Sequence, residues 1–420
     1  MNLFEFLDKS KTAYHATENV RKILLENGYT ELSETNEWKI IENGKYFLTR
    51  NGSALIAFSV GKSRSFNVVA AHTDSPCFKI KASPEIACEN YVKLDVEKYG
   101  GGIYHTFLDR PLTIAGRVTL LNGEILECRN FVSEKTFVIP SVAIHFNRAV
   151  NDGIKLNPQT DLCPVISSAA KKGLTEELKK FADGSEIADC DLFVVPAEKP
   201  FYAGYDNELF CSPRIDDLAS VYCALKGLLS AKPKAINVLY AADNEEVGNR
   251  TRQGACSDFL VSVLKRIHSL TGEGEFGCAV ANSFMVSFDG AHAVHPNHPE
   301  FSDPATKTLL NGGVVIKHHA NFNYTTDSLS SAVFKRILSG AGVKYQDFYM
   351  RSDLPCGSTL GASSSAQFPV LCVDAGLAQL AMHSATETAG VSDIEEGIKA
   401  MTAVYSSAIV RDGDLKIKII

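Results

Sequence analysis

Short, mainly apolar runs that are followed by polar or acidic residues are the feature of this sequence that most limits its fold. They are "FNVVAA" (66–71), "INVLYAA" (236–242), "AVANSFMVSF" (279–288) and "FPVLCVDA" (368–375). Each has the length of a strand that is buried on both faces. Residues at helical spacing, such as Leu218, Val221 and Leu225, lie between them. This alternation predicts an α/β fold with a mixed, mainly parallel central sheet flanked by helices.

The pattern changes between residues 84 and 205, where short strands and turns replace the alternation. The segments are "YVKLDVEKY" (91–99), "LTIAGRVTLLNGEILECRNF" (112–131), "KTFVIPSVAIHF" (135–146) and "CDLFVVPAE" (190–198). A chain of 420 residues is also longer than one hydrophobic core usually supports. We therefore predict a first α/β part over 1–83, an inserted β-rich domain over 84–205, and a second α/β part over 206–420.

Composition and charge exclude several classes of partner. The net charge is −7 and the basic residues are scattered, so neither nucleic acid nor an anionic membrane is a predicted partner. No apolar stretch approaches the roughly 20 residues that span a bilayer, and the N-terminus lacks the pattern of a signal peptide. Eleven cysteines occur singly, without a C-x-x-C pair, which indicates reduced thiols. We expect a soluble globular protein of the cytoplasm.

Candidate ligands follow the predicted strands or open the predicted helices. They are His72, Asp74, Asp216, Glu245, Glu246, Asp289 and His383. In open α/β sheets, ligands bind outside the carboxyl ends of the strands, so five distant segments are expected to meet at one place. Taken singly, each of these motifs is more typical of a solvated turn.

The chemistry of this set favours metal ions. Two imidazoles with several carboxylates and no thiolate suit a pair of zinc ions, or cobalt or manganese. Two such ions would share one carboxylate and a bridging hydroxide. Of the adjacent Glu245 and Glu246, one can bind metal while the other faces the bridging water as a base.

The joint order of the motifs resembles a known family, the aspartyl aminopeptidase and vacuolar aminopeptidase I family of dinuclear zinc exopeptidases. The resemblance extends over essentially the whole chain. It is carried by "AAHTDSPCFKIK", "SPRIDD", "DNEEVGNRTRQGA", "DGAHAVHPNHPE", "DLPCGSTLG" and "QLAMHSATE".

The resemblance implies two Zn²⁺ ions per subunit, with Co²⁺ or Mn²⁺ as alternatives, and a role for each candidate. The implied roles are His72 and Asp289 on one metal, Glu246 and His383 on the other, Asp216 as the bridge, Glu245 as general base, and Asp74 as the acid that orients a ligand. Because the family usually has Asp-Asn where this chain has Asp216-Asp217, Asp217 is the alternative bridge.

The resemblance also implies substrate contacts, and each has a simpler alternative. Lys317 would pair with an acidic substrate side chain, or it is an exposed lysine at a strand end. His292 and His295 would line the substrate cleft, or they are a hydrogen-bonded loop pair. His145 would reach into the active site of a neighbouring subunit, or it is a buried strand histidine.

We therefore predict a metalloaminopeptidase that removes N-terminal residues from peptides and prefers Asp or Glu. The resemblance further implies that 1–83 and 206–420 form the catalytic metallopeptidase domain. It also implies a homo-oligomer, a dodecamer built from dimers, with the β-rich insert as its oligomerisation domain. A neutral, Leu-type aminopeptidase or a deacylase of N-acyl amino acids on the same metal site is the enzymatic alternative. A non-catalytic assembly or cargo protein is the remaining one.

Overall fold

The N-terminal part of the fold contains two helices and a hairpin that leads into a buried strand. The computed structural model describes residues 1–168, 173–271 and 274–420. The first elements are α1 (Leu3–Lys9), α2 (Ala13–Glu26), β1 (Thr30–Glu31), β2 (Lys45–Arg50), β3 (Ala54–Ser59) and β4 (Phe66–His72). Asn51 and Gly52 both take positive φ, as the predicted turn between β2 and β3 requires.

The middle part builds a separate antiparallel sheet. Its elements are β5 (Cys77–Cys88), β6 (Tyr91–Tyr99), β7 (Leu112–Asn122), β8 (Ile125–Val132), α3 (Pro158–Asp161), β9 (Val165–Ser168), α4 (Leu174–Ala182) and β10 (Glu186–Pro196). The strand order among the described residues is β8-β7-β10-β5-β6-β9. The sheet already begins at Cys77, and the division at 84 and 205 stays a prediction.

One predicted strand of this part is wrong. In "KTFVIPSVAIHF", the residues from Phe137 to Ile139 make only isolated β-bridges, and residues 141–146 are exposed. Pro140 explains the end of the pairing, because proline has no N–H to donate to a neighbouring strand.

The C-terminal part supplies most of the central sheet and its helices. Its elements are β11 (Phe201–Ala203), β12 (Leu209–Ser212), α5 (Ile215–Ser230), β13 (Ile236–Ala242), α6 (Phe259–Thr271), α7 (Phe276–Ala281), β14 (Phe284–Phe288), β15 (Ala291–His292), β16 (Val314–His318), α8 (Ser328–Gly340), β17 (Tyr345–Tyr349), α9 (Leu360–Gln367), β18 (Leu371–Gly376), β19 (Ala378–Leu380), β20 (Glu387–Gly390), α10 (Val391–Tyr405), β21 (Ile409–Arg411) and β22 (Ile417–Ile419). "AVANSFMVSF" was predicted as one strand, but its first residues belong to α7. Periodicity alone does not separate a short buried helix from a strand.

The central sheet confirms the predicted fold class. Within the described residues its strand order is β1-β2-β3-β13-β4-β14-β18-β16-β17. The adjacent strands β13, β4, β14 and β18 run parallel, so their carboxyl ends lie on one edge. One core packs the sheet against α2, α5, α8 and α10, and a second packs it against α6, α7 and α9. The result is an α/β fold in which helices cover both faces of a mixed sheet.

A small third sheet was not predicted. Its order, in the part of the chain that the structure describes, is β11-β12-β20-β19-β15. These strands have two to four residues each, too few to show a two-residue period in the sequence. None of the described helices combines the length and the apolar character needed to cross a membrane.

Candidate active site

Three strand ends of the central sheet carry candidate ligands to one edge. His72 is the last residue of β4, and Asp289 directly follows β14. Glu245 and Glu246 open a 3-10 turn shortly after β13. The small sheet adds two more segments, because β12 leads into Asp216 and the strands β19 and β20 flank His383. The five distant segments therefore meet as the strand ends indicated.

The Asp216 carboxylate lies between two imidazoles. Its Oδ1 is 3.4 Å from Nε2 of His72, and its Oδ2 is 3.2 Å from Nε2 of His383. The same His72 nitrogen is 3.6 Å from Oδ1 of Asp289, and that of His383 is 3.2 Å from Oε1 of Glu246. We call His72 with Asp289 the His72 half, and Glu246 with His383 the His383 half. One carboxylate thus faces both halves.

The donor atoms of each half fit a divalent cation. Asp216, Glu246 and His383 offer ligand atoms that all lie within 4.8 Å of one another, and so do His72, Asp217 and Asp289. Oδ1 of Asp216 and Oε1 of Glu246 are buried and accept no hydrogen bond from the described residues. An unpaired buried carboxylate oxygen is costly unless a cation satisfies it. Imidazole and carboxylate donors also suit zinc.

Asp216 and Asp217 differ in what they face. Burial works to raise the pKa of Asp216, but the neighbouring His383 and His72 imidazoles outweigh it and hold that pKa below its ordinary range. The pKa of Asp217 is raised, first by burial and then by the Asp289 charge. Its Oδ2 accepts the backbone N–H of His72 at 3.1 Å. The Asp216 carboxylate thus faces both imidazoles, whereas the Asp217 carboxylate contacts the backbone of His72.

Backbone carbonyls orient both imidazoles. Nδ1 of His72 is 3.1 Å from the carbonyl oxygen of Asp74, and Nδ1 of His383 is 3.1 Å from that of Gly101. A proton on Nδ1 donates to each carbonyl, which leaves the Nε2 lone pair directed at the centre. Gly101 belongs to the loop after β6, so the second sheet contributes to this site.

Asp74 holds the turn that carries the paired glutamates. Its Oδ1 accepts the N–H of Glu245 at 3.1 Å, and its Oδ2 accepts the N–H of Glu246 at 3.2 Å. The hydroxyl of Tyr99 also donates to Oδ2, at 2.7 Å. Burial raises the pKa of Glu245 to about 8. A carboxylate with such a pKa is suited to accept and return a proton near neutral pH.

Lys317 lies inside the cavity at this centre, together with Tyr324 and His292. It is 1% exposed, and its Nζ donates to the carbonyl oxygens of Asp289 at 3.2 Å and Gly290 at 3.0 Å. The same Nζ is 5.1 Å from the centre of the Tyr324 ring. The simpler alternative, an exposed lysine at a strand end, is therefore wrong.

Two of the predicted histidines lie away from the cavity. His295 is in the exposed loop after β15, where its Nδ1 accepts the N–H of Asn297 at 3.2 Å. His145 lies in an exposed turn next to Phe146, which is 87% exposed. The alternative of a buried strand histidine is wrong for His145, and its predicted reach into a neighbouring subunit stays a prediction.

Sequence reasoning missed Glu387, the first residue of β20. This buried carboxylate accepts the N–H of Asp216 at 3.0 Å and the N–H of His383 at 2.7 Å. It lies in the motif "QLAMHSATE", four residues after His383, so a signal was present. Its partner Asp216 is 171 residues away in the chain, which no local pattern reveals.

A family model decides the identity of the chain. The model of the aminopeptidase I zinc metalloproteases, M18, matches residues 6–405. The chain belongs to the M18 aminopeptidase family. It is 44% identical to a probable M18 family aminopeptidase 2 of Clostridium novyi, over 96% of this chain and 98% of that protein. It is 34% identical to aspartyl aminopeptidase 1 of Schizosaccharomyces pombe, over 100% of this chain and 96% of that protein.

Solved structures agree with this assignment. A structure of the Ape4 and Nbr1 complex matches with a TM-score of 0.92 and 33% identity, over 96% of this chain and 84% of that one. The S. cerevisiae mApe1 dodecamer matches with a TM-score of 0.83 and 25% identity, over 96% of this chain and 97% of that one. This M18 protein is thus a metallopeptidase of the aminopeptidase class, as predicted from the sequence.

Proposed function

We propose that this M18 aminopeptidase cleaves the N-terminal residue from peptides with two Zn²⁺ ions, one in each half of the centre. The observation that carries the proposal is the Asp216 carboxylate, whose two oxygens face His72 at 3.4 Å and His383 at 3.2 Å. When bound, the two ions supply a Lewis acid and lower the pKa of a nucleophilic water. Co²⁺ or Mn²⁺ could take the same donors.

The proposed general base is Glu245. Its raised pKa, about 8, suits a group that takes a proton from the attacking water and returns it to the leaving amine. Asp74 would hold Glu245 and Glu246 in separate roles, because it accepts the N–H groups of both. His72, Asp289, Glu246, His383 and the shared Asp216 are the proposed metal ligands.

We propose that acidic N-terminal residues are preferred. Lys317 is buried in the cavity, so an ammonium group is available to a substrate carboxylate without competition from bulk water. Relatives named aspartyl aminopeptidase support this preference. His292, which lines the same cavity, is a further proposed substrate contact.

A substrate panel on protein of measured metal content tests the proposed activity. Purified protein loaded with Zn²⁺, Co²⁺ or Mn²⁺ is assayed with Asp-, Glu-, Leu- and Lys-aminoacyl substrates and with their N-acetylated analogues. We expect two metal ions per chain and the highest kcat/KM for Asp or Glu substrates with a free amine. Faster cleavage of the acetylated compounds would make the protein a deacylase, and faster cleavage of Leu substrates would make it a neutral aminopeptidase. Two bound ions with no turnover would favour an assembly or cargo role.

We also propose a homododecamer built from dimers, with residues 84–205 as its oligomerisation domain. Val142, Ile144 and Phe146 around His145 are exposed by 62%, 46% and 87%, which is unusual for large apolar side chains clustered on a monomer. The S. cerevisiae mApe1 dodecamer supports this state. Light scattering tests it, and an active monomer would contradict both the assembly and the shared role of His145.

We propose the cytoplasm as the location of this protein. All eleven cysteines are free thiols in the structure, which supports a reducing compartment. Fractionation of the source cells tests the proposal.

A further inference from the structure

Glu387 makes two hydrogen bonds at the back of the His383 half. Its side chain is 2% exposed. One carboxylate oxygen accepts the backbone N–H of Asp216 at 3.0 Å, and the other accepts that of His383 at 2.7 Å. Glu387 therefore connects two chain segments without facing the cavity itself.

Both connected segments have backbone conformations that need external support. His383 has a φ of +68°, a left-handed conformation that is unfavourable for a non-glycine residue. Asp216 lies at the start of α5 but has non-helical dihedrals, so its N–H is outside the regular helix ladder. A buried acceptor for each N–H offsets these costs.

We propose that Glu387 is a positioning residue for the metal centre. By accepting both N–H groups, it fixes the backbones from which the Asp216 and His383 side chains meet, with Oδ2 3.2 Å from Nε2. This inference rests on the proposed two-metal function. It assigns Glu387 mainly to the affinity of the His383 half, where Glu387 supports both His383 and the shared Asp216, whereas the His72 half depends on it through Asp216 alone.

The Glu387→Gln variant keeps the size of the side chain and removes one of its two acceptors. The amide NH₂ of glutamine would face a backbone N–H, so two donors would oppose each other. Glu387→Asp keeps the charge but is one methylene shorter and reaches one N–H group only. Both variants should loosen the backbones of Asp216 and His383 without removing a proposed metal ligand.

Asp393 offers a matched control elsewhere in the fold. It is fully buried in the first turn of α10, and it too accepts two backbone N–H groups, from Asn311 at 2.7 Å and Gly313 at 2.8 Å. Asp393→Asn removes the same kind of bond. It should lower stability as Glu387→Gln does, without changing metal binding.

The test is a Zn²⁺ titration by calorimetry, together with the absorption spectrum of the Co²⁺ forms. Outer carboxylates of this kind change metal affinity by about 10–100-fold. We expect Glu387→Gln to weaken one of the two sites by that factor and the other site less, and to alter part of the cobalt spectrum, whereas Asp393→Asn should leave both sites unchanged. If Glu387→Gln does not fold, Glu387→Asp carries the same expectation.

Unchanged affinities in a folded Glu387 variant would overturn the inference, and so would equal weakening of both sites. The proposed function fails separately, because in that case the wild-type protein itself would bind fewer than two ions.

Discussion

The two halves of the metal centre are built by different parts of the fold. His72 ends β4 and Asp289 directly follows β14, and the ladder between these adjacent parallel strands fixes the relative position of the two residues. Glu246 and His383 lie in turns instead. Glu246 lies between the positive-φ residues Asn244 and Gly248, and His383 itself has a positive φ.

In the His383 half, buried carboxylates hold the backbone in place of strand hydrogen bonds. Asp74 accepts the N–H of Glu246, and Glu387 accepts the N–H of His383. A strand ladder repeats over many residues, whereas each of these turns depends on one or two buried acceptors. The difference indicates that the His72 half is the rigid one, and that the His383 half is the one that single substitutions can loosen.

The largest expected effect separates the paired glutamates. Glu245→Gln should lose about 10²–10⁴-fold in kcat while it keeps both metal ions, because it removes the base and no ligand. Glu246→Gln should lose the ion of the His383 half. Metal analysis and steady-state kinetics on both variants test the assignment. Equal metal loss in both, or near-normal turnover of Glu245→Gln, would remove it.

A smaller effect is expected for Lys317, which touches the His72 half through the carbonyl of Asp289. A charge-assisted contact is worth roughly 1.5–3 kcal/mol, so Lys317→Met should reduce the preference for Asp over Leu substrates by about 10–100-fold in kcat/KM. The control is Lys335→Met, since Lys335 pairs with Asp347 instead of lining the cavity. An unchanged Asp-to-Leu ratio in Lys317→Met would contradict its role in specificity.

Stepwise metal removal tests the comparison directly. We expect a chelator titration of the zinc-loaded protein to show two phases, with affinities that differ by about tenfold or more. The weaker phase should be missing in His383→Ala and present in His72→Ala. A single phase, or earlier release from the His72 half, would show that the strand ladder gives no advantage.

The smallest effect concerns the pH dependence of the metal-free protein. Burial raises the pKa of Asp243 to about 7 and those of Glu245 and Glu387 to about 8. Between the ordinary carboxyl pKa and these values, the folded state holds protons that the unfolded state has lost. Its free energy of unfolding therefore falls as pH rises through this window.

We expect the Tm of the chelated protein to be about 2–5 °C lower near pH 8 than near pH 6. The slope should be shallower in Glu245→Gln, which lacks one of these acids, and in the zinc-loaded protein, where bound metal keeps the carboxylates charged. A higher Tm near pH 8 would contradict the assigned direction.

Individual residues differ in how well the sequence predicts their positions. His72 and Asp289 could be placed because each follows a short apolar run, and parallel strands bring their carboxyl ends to one edge. Lys317 could be suspected only through resemblance, since a lysine at a strand end is ordinarily exposed. In the structure it is buried, and its Nζ donates to the carbonyl oxygens of Asp289 and Gly290, which are 28 and 27 residues away in the chain.

The sequence by itself determined the α/β class, the family and the chemical types of the donors, because these are written in local periodicity and short motifs. The tertiary structure decided the different contacts of Asp216 and Asp217, the exposure of His145, the small third sheet and the two hydrogen bonds of Glu387. Each depends on contacts between distant segments, such as the 171 residues between Asp216 and Glu387. A single carboxylate that joins two distant segments produces no periodic pattern in the sequence of either segment.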